Sequence, residues 1–159
     1  MIDTPAQAAV ISKDGIYRYF LSRSWLGGEK TVAFIGLNPS TADEHLDDPT
    51  IRRCMGFAKL WGGKELWMVN LFAFRSTDPL ALKAAFDPIG VENDNWLEAA
   101  INNADIVVAA WGNLGILNHR AETVLLRHQK RFSALKITKS GMPGHPLYVP
   151  AQTQLISYP

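Results

Sequence analysis

At 159 residues, 47% hydrophobic and 19% charged, the chain can bury a substantial core without covalent staples and is too apolar for a disordered segment. Its single cysteine, Cys54, rules out an internal disulfide framework, a four-cysteine zinc site and an iron–sulfur cluster held by this chain alone, and suits a reducing cytoplasm. The net charge of +1 neither requires nor forbids nucleic acid, no run approaches the roughly 18 apolar residues of a membrane span, and MIDTPAQAAVISKDG lacks the regions of a secretory signal.

The chain opens on AVISKDGIYRYFLSRSW, where an Asp14-Gly15 turn between β-prone runs predicts a hairpin. TVAFIGL (31–37) is almost continuously apolar, the mark of a strand buried on both faces. After GLNPSTAD, Asp48 and Pro49 have the residue types of an N-cap and first helical position. Ile51, Cys54, Met55, Ala58 and Trp61 then follow the spacing of one apolar helix stripe, which Gly62-Gly63 closes. LWMVNLF (66–72) predicts a second buried strand, and FRSTDP leads into a helix from about Pro79. A further helix is expected over roughly 89–103, a third buried strand in DIVVAAW (105–111), a helix at about 116–132 and a short strand in SALKIT. SGMPGHPLYVP is too rich in proline and glycine for regular structure.

Strands alternating with helices over short connections predict a single α/β domain of three layers, with a mainly parallel four-stranded central sheet. Residues 31–150 form its core and 1–30 a hairpin extension. In such sheets ligands bind outside the carboxyl ends of the strands. Asn38, the turn at 72–75, Trp111-Gly112 and the loop of His145 all follow predicted strands, and so belong to that one edge.

The order strand-G-x-N-P, strand-N-x-x-x-x-R, apolar strand ending in glycine, and late H-P resembles the uracil-DNA glycosylase superfamily over roughly residues 31–150. GLNP is close to the first motif of its mismatch-specific branch. GLNPSTAD, DDPTIRRC, NLFAFRSTDP and GHPLY together look still more like an uncharacterised bacterial and phage domain family of unknown function. The glycosylase resemblance implies that Asn38 stands where a water-activating acid or amide is held, that Asn70 reads a base edge, and that His145 belongs to the late motif. The late motif departs from its usual Ser-Pro or Ser-Gly continuation, reading His145-Pro146-Leu147-Tyr148, and Ser40-Thr41 replaces the usual small or aromatic residues.

Hydrolysis of an N-glycosidic bond passes through a sugar cation and releases a base anion. In that chemistry Asn38 orients water, Asp43 supplies negative charge if its loop folds back, and His145 stabilises the departing base. Asn70 offers a paired donor and acceptor. Phe72, Phe74 or Trp111 can stack on the base, and Arg75 with Ser40 and Thr41 can meet phosphate. The expected partner is nucleic acid or a nucleotide, with no membrane, metal or cofactor. Each residue also has a structural alternative: a turn cap for Asn38, core packing for Trp111, a pairing with Asp78 for Arg75.

Two alternatives stay open. One is a binding module that holds a base or nucleotide without cleaving it. The other is a metal-dependent phosphoester hydrolase built on the acidic run Asp43, Glu44, His45, Asp47 and Asp48. The carboxyl-terminal portion, with Arg120, Arg127, Lys130, Arg131, Lys136 and Lys139 against Glu122 alone, can meet phosphates or simply be a solvated face.

Overall fold

A computed structural model describes residues 6–129 and 132–159. The first half of the chain runs β1 (Gln7–Ile11), β2 (Arg18–Ser24), β3 (Lys30–Gly36), α1 (Pro49–Leu60), β4 (Gly63–Asn70) and α2 (Pro79–Ala84). The second half runs α3 (Asn93–Asn103), β5 (Ile106–Ala109), a 3-10 stretch (Asn113–His119), α4 (Arg120–Arg127), β6 (Phe132–Ala134), a 3-10 turn (Pro146–Tyr148) and β7 (Ile156–Tyr158). No helix among the described residues is long and apolar enough to cross a membrane. Lys130 and Arg131 of the basic carboxyl-terminal portion lie outside the described residues.

All strands join one mixed sheet in the order β1-β2-β4-β3-β5-β6-β7. The expectation of a four-stranded sheet is corrected to seven strands. β4, β3, β5 and β6 are mutually parallel and contiguous. The hairpin continues the sheet instead of lying outside it, because β2 pairs antiparallel with β4, Leu21 opposite Met68. Beyond the Pro/Gly-rich tail, β7 pairs antiparallel with β6.

Side-chain alternation divides the core between the two faces of the sheet. Val32, Phe34, Leu66 and Met68 pack with Ile51, Cys54, Phe57 and Ala58 of α1. Ala33, Ile35, Trp67 and Val69 point the other way, onto Leu82 of α2, Leu97, Ala100 and Ile101 of α3, and Ala121 and Val124 of α4. Phe34, Phe57 and Trp61 stack on one another at centroid separations of 5.4 to 6.5 Å. Each large side chain buried this way contributes roughly 1.5–3 kcal/mol.

The helix expected over 116–132 is shorter than its apolar pattern implies. Asn118 and His119 adopt left-handed φ of 54° and 55°, and α4 starts only at Arg120. The break sets the buried Arg120 guanidinium against the end of β4, where Nε donates to the Leu71 carbonyl at 2.8 Å and Nη2 to Asp94 Oδ1 at 2.6 Å. Arg127 Nη1 donates to the other Asp94 oxygen at 2.9 Å. Burial alone would raise the Asp94 carboxyl, but the two guanidiniums, Arg120 first, hold it below its ordinary value.

From β3 the chain crosses over α1 to β4 on one side, and later reaches β5 on the other. The carboxyl ends of β3 and β5 therefore flank a reversal of strand order, where an α/β sheet opens a crevice.

Candidate functional site

A cavity of about 160 Å³ occupies that crevice. Gly36, Leu37 and Asn38 after β3, Asn70 at the end of β4, and Ala110 and Trp111 after β5 form its strand side. Asp48, Thr50 and Ile51 at the start of α1 close another side, and His145 and Pro146 a third. Arg18 reaches in from β2. An engineered cavity of about 150 Å³ admits a benzene ring, so this one has the dimensions of a single planar ring.

Gly36 ends its strand for a steric reason. A Cβ there would lie 2.7 Å from Asn70 Oδ1, so the amide can lean over the neighbouring strand only because residue 36 has no side chain. Asn70 is 3% exposed, yet its Nδ2 has no hydrogen-bond partner among the described residues. The backbone beneath it is fixed by the fully buried Asn93, whose Nδ2 donates to the carbonyls of Asn70 and Leu71, both at 3.0 Å.

Asn38 has a structural duty as well as a place in the cavity. Its Nδ2 donates to the carbonyls of Phe74 at 3.0 Å and Ser76 at 3.1 Å, joining the loop after β3 to the loop after β4. Those bonds fix the amide orientation and leave Oδ1 without a partner among the described residues. The Ser76 N–H donation to the Pro39 carbonyl, 2.9 Å, ties the same two loops.

His145 is carried on a segment hooked to the sheet at two points. Gly112, at a left-handed φ of 72°, donates its N–H to the Pro143 carbonyl at 2.8 Å, and Gly144 donates to Lys136 at 2.7 Å. The Leu147 N–H donates to His145 Nδ1 at 3.1 Å, so that nitrogen is unprotonated and the neutral ring carries its proton on Nε2. Burial lowers the His145 pKa, while the Asp48 carboxylate opposes the shift.

Two cavity residues stand outside the glycosidic chemistry expected from the sequence. Asp48, expected as a helix cap and as a member of the acidic run, does cap α1, accepting from the Ile51 N–H at 2.8 Å through Oδ1. It is also the one carboxylate lining the cavity, and among the described residues its Oδ2 has no partner. Arg18 lay in the hairpin excluded from the expected core. Opposite it in β1, Val10 pairs with Phe20 and Ile11 with Arg18, leaving Tyr19 as the extra residue of a bulge. A bulge re-aims the side chains beyond it, and Arg18 lies on the α1 face, donating to the Ala42 carbonyl at 3.1 Å. An arginine inside an otherwise aromatic and apolar run was the available signal.

Other expected site residues are placed elsewhere. Asp43 does not fold back into the cavity: its carboxylate accepts from the N–H groups of His45 and Leu46 at 2.8 and 2.7 Å, closing its own turn. Phe72 is fully buried in the core on the opposite face, and Phe74 packs edge-on to Tyr17; neither lines the cavity, because past Asn70 the side-chain alternation breaks and Leu71 and Phe72 both enter that core. Trp111 touches the cavity, but its ring is committed to Gly115, to Tyr158 edge-on, and to Met142 Sδ, 3.4 Å from its Nε1. It forms wall instead of a stacking platform.

Arg75, Ser40 and Thr41 do come together, with Gly15, Ser76 and Thr77, around an open groove that shares Ser40 with the cavity. Arg75 makes no pair with Asp78; its guanidinium donates to the carbonyls of Ser40 and Gly15, while Asp78 caps α2. The acidic run has its own structural work. Arg23 Nε binds Asp47 at 2.8 Å and its Nη2 donates to the Asp43 and Leu46 carbonyls, pinning the loop to β2. Among the described residues no group of three His, Cys, Asp or Glu side chains is placed to hold a metal ion, so the acidic run does not provide the ligand cluster its sequence suggested.

No curated protein and no solved structure matches the chain. The model of a family described as a protein of unknown function, DUF1643, matches residues 18–147, a span running from Arg18 to just past His145, and the chain belongs to that family.

Proposed function

We propose that the protein is a uracil-DNA glycosylase-like hydrolase, acting on the N-glycosidic bond of a pyrimidine-sized base in nucleic acid or a nucleotide. One observation carries this reading: Asn38, Asn70, His145 and Asp48, from four separate parts of the chain, line a single ring-sized cavity at the switch point of the sheet. Asn70 pairs with the base edge, and the Asn38 carbonyl oxygen orients the attacking water. Asp48 replaces Asp43 as the carboxylate that accepts the water proton and faces the developing sugar cation. His145, neutral, donates from Nε2 to an oxygen of the departing base. A phosphate attached to the sugar would be met by the adjoining groove of Arg75, Ser40 and Thr41.

The test is a panel of single-stranded oligonucleotides and free nucleotides carrying oxo-pyrimidines, scored for free base and abasic product without added metal. Base release is expected from the wild type and should fall by about 10²-fold or more in Asn70→Ala. That variant should still fold, because Asn70 Nδ2 has no hydrogen-bond partner among the described residues. Because the His145 pKa is lowered, its ring stays neutral across the range where an ordinary imidazole titrates, so the rate should be level there. No release from any member of the panel overturns the reading.

The involvement of the Asn38 amide in loop carbonyls favours one other reading, a cavity that holds a base without cleaving it. Under it the panel yields bound substrate with the glycosidic bond intact.

A further inference from the structure

Arg18 is 2% exposed and lines the cavity, yet its guanidinium makes no ion pair among the described residues. Its Nη1 donates to the Ala42 carbonyl at 3.1 Å, and its Nε is buried with no partner among the described residues. A buried cation left in this state is costly, and the Asp48 carboxylate offsets that only in part. Burial, opposed by attraction to Asp48 and reinforced by repulsion from Arg75 and Arg23, lowers the Arg18 pKa to about 10, so it remains charged at neutral pH. A second orphaned donor, Asn70 Nδ2, lines the same cavity at the same depth of burial.

We propose that Arg18 and Asn70 Nδ2 form an oxyanion receptor inside the cavity, for a planar heterocycle bearing a negatively charged oxygen. The guanidinium can only donate, so it selects against an amino group at that position and for an oxygen acceptor, to which Asn70 Nδ2 adds a second donor. A fork of N–H donors matches a planar oxyanion better than a single ammonium would. The binding claim stands without bond cleavage; its catalytic consequence rests on the glycosylase-type reading above. In that reaction the electron pair of the broken C–N bond stays on the base, whose ring oxygen substituent carries the charge to Arg18. Water oxygen bonds to the sugar carbon, and the water proton passes to Asp48. Arg18 then supplies the positive charge that a neutral His145 lacks.

The same charge can come from a departing base or from a carboxylated heterocycle, and calorimetric titration of the wild-type protein separates them. The probes are 5-nitrouracil, which ionises on its ring near neutral pH, orotate, which bears a carboxylate, and thymine, which is neutral and of similar size. At least tenfold tighter binding of an anionic probe than of thymine is expected. Arg18→Met should abolish that preference while its ligand-free melting temperature stays level or rises, because a buried unpaired charge has been removed. Arg18→Lys, which keeps charge without the fork, should lose at least part of the preference and covers the case in which the methionine variant fails to fold. Preference for 5-nitrouracil assigns the site to a base anion, and preference for orotate assigns it to a carboxylate. Equal binding of all three probes by wild type, or an unchanged preference in both variants, overturns the receptor. Base release by a protein with no anion preference sinks the receptor alone; anion preference with no base release sinks the glycosylase-type reading alone.

Discussion

Asp48→Asn is expected to slow base release by about 10²–10⁴-fold, the range of a lost general base, while leaving the fold in place. The substitution discriminates because Asp48 has two tasks. Its Oδ1 caps α1 through the Ile51 N–H, and asparagine caps a helix as well as aspartate does. Its negative charge at the cavity is what asparagine removes. The lost interaction with the helix dipole is worth at most about 1 kcal/mol, and the attraction Asp48 exerts on the buried Arg18 is lost with it, so the melting temperature should fall modestly with the transition still cooperative. A single-turnover measurement alongside a melting curve checks both halves. Wild-type turnover in Asp48→Asn would show that capping is the whole of this residue's work.

Arg23→Ala is expected to lower stability by about 3 kcal/mol, toward the lower end of what breaking a buried ion pair costs. Asp47 keeps 29% of its side-chain surface and can regain water, whereas Arg23 is 1% exposed. The variant also orphans the Asp43 and Leu46 carbonyls that Arg23 now satisfies. Urea unfolding measures the loss. The loop it releases leads directly into Asp48, so turnover should fall along with stability even at temperatures where the variant is folded. Arg23→Met, which fills the volume without the charge, should recover part of the stability and none of the loop anchoring. A midpoint within error of wild type for Arg23→Ala would mean that the loop holds itself.

The parallel strands were legible because burial on both faces leaves an unmistakable apolar run. Once their direction and order of appearance were inferred, the edge carrying Asn38, Asn70 and His145 followed from the geometry of the fold class. Three things were not legible. The register of the hairpin, and with it the aim of Arg18, depends on a bulge at Tyr19 that no local residue type signals. Asp48 was explained too easily: a satisfied cap gave no reason to ask where its second oxygen points. Proximity in sequence places Phe72 and Phe74 on the ligand edge, but alternation breaks after Asn70: Leu71 and Phe72 both enter the opposite core, and Phe74 bridges to Tyr17. In the acidic run, charge density suggested metal, whereas one buried arginine and two local turns account for the arrangement.

The central claim is that amide, imidazole and guanidinium groups meet around one planar oxo-heterocycle. A crystal of the protein soaked with a pyrimidine base tests it most directly. Ring density is expected between the start of α1 and the ends of β3 and β4, with Asn70 Nδ2 and the Arg18 guanidinium within hydrogen-bonding distance of ring oxygens. An empty cavity at saturating base, or a ring bound elsewhere on the surface, would contradict it.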